Sequence, residues 1–336
     1  MKVLVYFENQ DQIKTSGIGR ALRHQMHALS SAGVEFTLNK KDQFDLAHIN
    51  TYFRKSKKLL KFCKKNGIPV IIHGHSTIED FRESFALWPI TAKVWYNPNL
   101  MYFYKNADYI LTPTPYSKRC IDAYGLGTPV DVVSNGIDVS EYAYDEEKIR
   151  KFKEHFNIQE GEKVVIGVGF PFIRKGLDDF MEAAKAFPNV KFIWFGHLQK
   201  ILQSNKIKKV TKNKPSNVIM PGYIANDIIK GAYRYAECLF FPSREETEGI
   251  VVLEALASNC PVLVRDIGVY SDWLQDGRDC YKGKDVNEFI QKLQFIFDNT
   301  HEEVIKTGYE LAKSKTLESI GLELKEAYTK LLNMKK

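Results

Sequence analysis

Cys238-Leu-Phe-Phe241-Pro-Ser-Arg-Glu-Glu246-Thr-Glu-Gly249-Ile-Val-Val-Leu-Glu254-Ala-Leu-Ala257 decides how this chain folds. The apolar Cys238–Phe241 reads as a buried strand, a polar loop follows, and the apolar run from Ile250 reads as a helix. Strand, loop and helix in that order are the unit of a parallel sheet, whose neighbouring strands need a covering crossover. Gly249 lets backbone amides come close to a ligand, and a helix starting beside it aims N–H groups at an anion. Glu246 and Glu254 bracket that glycine. Glu254, a turn into the helix, is placed to accept hydrogen bonds from a diol. The competing reading is an acidic helix start stabilised by the helix dipole.

The same grammar extends on both sides. Lys163-Val-Val-Ile-Gly-Val-Gly169 opens an α/β unit whose later strands are Val190–Phe195, Asn217–Met220, Cys238–Phe241 and Pro261–Val264. Amphipathic helices are expected at Glu288–Phe297 and Glu318–Leu332. Upstream, Lys2–Phe7 reads as a strand, Ile18–Leu29 as a helix, and Leu46–Ile49, Val70–Ile72 and Tyr109–Leu111 as further strands. The charged, helix-prone Glu146–Glu160 reads as an inter-domain connection. The expected fold is therefore α/β, with two Rossmann-like domains in tandem and a ligand cleft between them. The boundaries expected are 1–158, 159–314, and a C-terminal helix at 315–336 that can return to the first domain.

Composition narrows the class. With 336 residues, 44% hydrophobic and 26% charged, the chain is an ordinary globular protein with room for two cores. No apolar run approaches the roughly 18–20 residues of a membrane span, and Val3–Phe7 is too short for a signal peptide, so a cytoplasmic location is expected. Five widely spaced cysteines without a C-x-x-C pair give neither a disulfide framework nor a zinc site. Most of the net charge of +7 lies in residues 1–138, where 18 basic residues face 12 acidic ones (18 − 12 = +6). Such a half is either a solvated face or one that meets an anionic membrane or nucleic acid.

Glu246-x7-Glu254 after Pro242-Ser243, then Ala255 and Asn259-Cys-Pro-Val262, resembles the signature of the retaining family 4 glycosyltransferases with the GT-B fold. Ser134-Asn-Gly-Ile-Asp138, Gly167-x-Gly169 followed by Arg174-Lys175-Gly176, and Asp266-Ile-Gly268 fall in the family's order. The resemblance implies that Glu246 holds hydroxyls of a donor hexose, that amides near Gly249 and Ile250 touch sugar or phosphate, and that Glu254 binds the ribose. Lys175 is implied to neutralise the diphosphate, because fixed positive charge where negative charge develops lowers a barrier. Phe170 replaces the family's usual arginine, and Thr247-Glu248 its Gly-Phe; Arg174 is a candidate for the missing cation, or else solvated. Both departures resemble a subgroup that glycosylates diacylglycerol lipids in Gram-positive bacteria.

Ser16-Gly17-Ile-Gly19-Arg20 joins the first strand to a helix and lacks the G-x-G-x-x-G spacing, so a tight turn competes with donor binding at Gly17 and acceptor binding at Gly19. His73-Gly-His75 follows a strand and thus stands at a sheet mouth. The resemblance matches His75 to a histidine that contacts donor sugar or acceptor, leaving His73 to orient the loop. No Asp-x-Asp occurs, and no cofactor or catalytic metal is expected. In the family the departing phosphate takes the acceptor proton during front-face attack, so no side-chain nucleophile is required.

Phe53–Lys65 carries seven cations and no acid, with Tyr52, Ser56, Leu59, Leu60 and Cys63 on one helical face. It reads as a surface helix or as one that meets an anionic bilayer through Lys57, Lys58 and Lys61. Eight aromatics between Phe81 and Tyr104, Trp88 and Trp95 among them, read as membrane-interface residues or as core. Lys200–Lys214, with six lysines, reads as a mobile solvated loop.

The resulting expectation is a hexosyltransferase moving α-glucose or α-galactose from UDP-glucose or UDP-galactose to a glycolipid, monoglucosyldiacylglycerol or diacylglycerol. It would lie peripherally on the inner face of the cell membrane, bound to anionic lipids and not to nucleic acid. The rivals are a transferase for a cell-wall or capsular polysaccharide intermediate, and a non-catalytic membrane- or nucleic-acid-binding protein.

Overall fold

The computed structural model describes residues 1–8, 17–80, 96–199 and 203–335. They form two compact units, one from residues 1–80, 96–138 and 315–335, the other from the described part of 139–314.

The first unit contains β1 (Lys2–Tyr6), α1 (Gly17–Ser31), β2 (Glu35–Thr37), β3 (Leu46–Ile49), α2 (Arg54–Lys65), β4 (Val70–His73), α3 (Asn97–Asn106), β5 (Tyr109–Thr112), α4 (Pro115–Asp122) and β6 (Val130–Val132). Its strands pair in the order β2-β1-β3-β4-β5-β6, all parallel. Both faces are covered, which is why the strands read as continuous apolar runs. Val3, Val5 and Phe7 enter one core, and Leu4 and Tyr6 enter the opposite one.

The second unit runs through α5 (Glu146–Phe156), β7 (Val164–Val168), α6 (Leu177–Lys185), β8 (Lys191–Phe195), α7 (Asn205–Lys212), β9 (Val218–Gly222), α8 (Asn226–Tyr235), β10 (Cys238–Phe241), α9 (Ile250–Ala257), β11 (Val262–Arg265), α10 (Gly268–Ser271), β12 (Tyr281–Gly283), α11 (Val286–Asp298) and α12 (Glu302–Lys313). Its parallel sheet has the order β12-β11-β10-β7-β8-β9. The final helix α13 (Leu317–Met334) belongs to the first unit, where Leu317, Ile320, Leu324 and Tyr328 join the core formed by Val3, Leu29 and Tyr109.

Two expectations are corrected. The charged Glu146–Glu160 is not a connection: α5 is capped by the Asp145 side chain, buries Phe152 and Phe156, and packs on α8, so the division falls near residue 138 and not at 158. Within the lysine-rich 200–214, residues 205–212 form α7, capped by Ser204, with Ile207 fully buried and Val210 packed on the core. One apolar face suffices to dock a helix whose other faces carry lysines.

Because Leu324 is buried between α13 and the first sheet, Leu324→Ala should destabilise that unit by about 2–5 kcal/mol. Urea unfolding followed by hydrogen exchange should show the loss in the first unit's strands, with those of the second unit unchanged.

Candidate active site

In the second sheet β7 and β10 are neighbours, yet the chain runs from β7 outward to β8 and β9 and returns to β10 on the other side. Such a reversal leaves a crevice at the carboxyl ends of the two strands, where parallel sheets take ligands. Residues 169–176 leave β7 and residues 242–249 leave β10, so the segments carrying the expected donor residues meet there. Gly176 enters α6 at φ 77°, and a Cβ on it would fall 2.2 Å from the Pro242 carbonyl oxygen. The loops thus touch backbone to backbone, and the Arg244 amide donates to the Arg174 carbonyl at 2.7 Å. The Arg244 guanidinium donates to Asp178 at 2.7 Å and Asp179 at 2.6 Å, and Arg265 also donates to Asp179. These charge-assisted bonds tie the β10 loop to the first turn of α6.

Glu246 is buried and accepts from the Lys175 ammonium and, at 2.6 Å, from the Ser243 hydroxyl. Arg174 Nη1 is 3.9 Å from the same carboxylate oxygen and donates to the Glu245 carbonyl at 2.5 Å. Arg174 is 8% exposed, which removes the solvated reading. Burial pushes the Glu246 carboxyl up, but the charges of Lys175 and Arg174 and the two hydrogen bonds outweigh it, holding the group below the usual glutamate range. Beyond it Gly249, at φ 86°, is the residue before α9; its carbonyl accepts from the Val252 amide at 2.8 Å, and the amides of Ile250 and Val251 precede the first such bond. Glu254 sits in α9 fully buried and accepts from the Tyr233 hydroxyl at 2.9 Å. Phe170, at the position of the missing arginine, is exposed. Among the described residues no group of three or more His, Cys, Asp or Glu is placed to hold a metal ion.

The first unit carries a second polar cluster at the carboxyl ends of β3 and β4. His75 Nε2 donates to Asn50 Oδ1 at 3.0 Å, Asn50 Nδ2 donates to Gln25 Oε1 at 3.0 Å, and Gln25 Nε2 donates to His48 Nδ1 at 2.7 Å. His48 must then carry its proton on Nε2, which donates to His73 Nδ1 at 3.2 Å. With the amides in this orientation the row runs from His75 to His73, and the Tyr328 hydroxyl also lies 2.8 Å from His48 Nδ1. His73 and His75 stack with ring centroids 3.9 Å apart. Burial, then the neighbouring His73 and His48 rings, hold His75 well below the usual imidazole range, and burial drives His73 down to about 3, so both rings are neutral near pH 7.

Of the other expected residues, Gly17 is exposed at the start of α1, and Gly19 is buried with its carbonyl accepting from Arg23 at 3.3 Å. Lys58 and Lys61 are exposed on α2, while the Lys57 ammonium lies 3.8 Å from the centroid of the Tyr102 ring. Trp88 and Trp95 lie outside the described residues. Within the aromatic stretch, Phe103 and Tyr104 are core residues at 0% exposure, so neither belongs to a membrane-facing set. Sequence reading quotes Ser243 in the motif around Glu246 without giving it a role, and misses Tyr233, His48 and the Gln25–Asn50 link. Only His48, a lone polar residue in the apolar run of β3, left a signal.

The ion pair makes a pH prediction. Because the folded-state value of Glu246 lies below the ordinary 4.5, its contribution is present above pH 4.5 and lost as pH falls through the depressed value. Glu246→Gln should cost on the order of 3 kcal/mol at pH 7 by leaving Lys175 unmatched. The gap from wild type, followed by denaturant melts, should narrow only below about pH 4.5.

Residues 148–311 match the Glycosyl transferases group 1 family and residues 19–141 match Glycosyltransferase Family 4. The chain is 48% identical over 337 aligned positions, covering 100% of both chains, to the processive diacylglycerol alpha-glucosyltransferase of Acholeplasma laidlawii. Among solved structures it is similar to sucrose-phosphate synthase from Thermosynechococcus elongatus, with TM-score 0.82, 15% identity and coverage of 99% and 100%. It is also similar to Anabaena HepE in complex with UDP-glucose, with TM-score 0.78, 15% identity and coverage of 98% and 100%. Those two likenesses speak to the fold, two parallel six-stranded sheets of the GT-B kind. The full-length relative, with the matched halves, establishes that the chain belongs to the family 4 glycosyltransferases.

Proposed function

We propose that this glycosyltransferase moves an α-glucosyl residue from UDP-glucose to diacylglycerol and to its glucosylated product, with retention of configuration. The observation that carries the reading is the cluster of Lys175, Arg174 and Glu246 where the β7 and β10 loops meet, in a chain 48% identical throughout to a diacylglycerol glucosyltransferase. In the proposed reaction the bond from the hexose C1 to the diphosphate oxygen breaks, and the acceptor hydroxyl oxygen bonds to C1 on the same face. The hydroxyl proton passes to the departing phosphate oxygen. Lys175 and Arg174 supply the positive charge that such a leaving group needs, so the reading requires no metal. Glu246 takes the hexose hydroxyls, Glu254 the ribose, and His75 contacts the sugar or the acceptor as a neutral imidazole.

Peripheral membrane binding is part of the same proposal. Among the described residues no helix is long and apolar enough to cross a bilayer. Helix α2 buries Ser56, Leu59, Leu60 and Cys63 and leaves Phe62 half exposed among Lys58, Lys61 and Lys65. A basic face with an apolar residue in it suits an anionic lipid surface.

Two measurements test this reading. Lys175→Ala should lower turnover about 10²–10³-fold with radiolabelled UDP-glucose and diacylglycerol, because one preorganised contact to developing charge is removed. Activity within a few-fold of wild type would remove Lys175 from the diphosphate, and transfer from UDP-galactose in preference would overturn the donor. Replacing Lys58, Lys61 and Lys65 by Glu should abolish salt-sensitive cosedimentation with phosphatidylglycerol vesicles, each lysine contributing about 1 kcal/mol. Lys57 is left in place because it is engaged with Tyr102.

A further inference from the structure

Tyr270, in the short helix α10, is fully buried, yet among the described residues its hydroxyl has no hydrogen-bond partner. A buried polar group left unsatisfied is costly, and a phenylalanine would fill the same space without that cost. The hydroxyl is aimed at one place. A Cβ built on Gly249 would fall 2.8 Å from Tyr270 Oη, and Gly249 is the residue from which α9 starts. The phenol therefore stands against the N-terminus of α9, where leading amides and the helix dipole favour an anion. Glycine at 249 keeps that approach open, since any side chain would collide with the oxygen.

The surroundings fix the protonation state. Burial first, then the nearby Glu246 charge, raise the Tyr270 phenol well above its usual value, so near neutral pH it is a proton donor only toward an anion. The groups whose charge reaches it include Glu246 and Arg174, the residues already assigned to the donor.

We infer that Tyr270 is a donor-binding residue whose hydroxyl donates a hydrogen bond to the distal phosphate of the nucleoside diphosphate seated at the start of α9. This rests on the nucleotide-sugar reading above and adds a contact from the β11 side of the sheet to those from the β7 and β10 loops. The phenol supplies a neutral, directional donor between the fixed cations and the helix amides. A bond of this kind to a charged acceptor is stronger than one between neutral groups.

Tyr270→Phe tests it with the loss of one oxygen atom. Calorimetric titration of wild type and variant with UDP and with UMP, together with thermal melts of both proteins, separates the outcomes. The expected result is a Kd for UDP raised roughly tenfold or more in the variant, an unchanged Kd for UMP, and a melting temperature equal to or above wild type. Equal UDP affinity in the two proteins would overturn the Tyr270 contact and leave the nucleotide-sugar reading intact. Equal losses for UDP and UMP with a lower melting temperature would make Tyr270 a packing residue and overturn the inference. Failure of wild type to bind UDP would overturn the nucleotide-sugar reading, and the inference with it.

Discussion

The ion pair between Lys175 and Glu246 is the interaction on which the site depends. A buried carboxylate and a partly buried ammonium meet at the junction of the β7 and β10 loops, an arrangement that is costly where the charges are left without partners. Ser243 and Arg174 gather with Lys175 on one oxygen of Glu246, and the bonds of Arg244 and Arg265 to Asp178 and Asp179 hold the loops in register. In the proposed reaction neither charge is left exposed when the pair opens. The diphosphate takes the ammonium, and the hexose hydroxyls donate to the carboxylate. A pair that is satisfied before binding and exchanged during it keeps both side chains oriented without reorganisation at the moment of reaction.

The interior of the fold was legible because parallel strands covered on both faces must be apolar throughout. Lys2–Phe7, Leu46–Ile49, Cys238–Phe241 and the other central strands follow from that rule. The three-residue strands Glu35–Thr37, Val130–Val132 and Tyr281–Gly283 do not, and each stands at the edge of its sheet. Edge strands have a single neighbour and need less apolar surface, so their sequences carry polar residues such as Glu35, Asp131 and Lys282 and resemble loops. Charge density misled in both directions for the helices. By charge Glu146–Glu160 reads as a connection and Lys200–Lys214 as a loop, whereas Phe152, Phe156 and Ile207 decide their packing.

The candidate site is legible where chemistry and spacing coincide along the chain. Glu246, Gly249 and Glu254 belong to one loop and helix, so their relation is written locally, and Lys175 next to Gly176 marks the corresponding turn after β7. What supports them comes from distant segments. Tyr233 reaches Glu254 across 21 residues, and the row linking His75 to His73 through Asn50, Gln25 and His48 is assembled from α1, β3, β4 and the loops after the two strands. No periodicity signals such contacts, because they exist only once the sheet has brought its strand ends to one edge.

The most direct measurement is a crystal structure of the protein with UDP bound. The expected result is a distal phosphate oxygen within hydrogen-bond distance, about 3 Å, of Lys175 Nζ, beside the leading amides of the helix that starts at Ile250, with the contact to Glu246 opened. A nucleotide seated elsewhere, with Lys175 still bonded to Glu246, would contradict it.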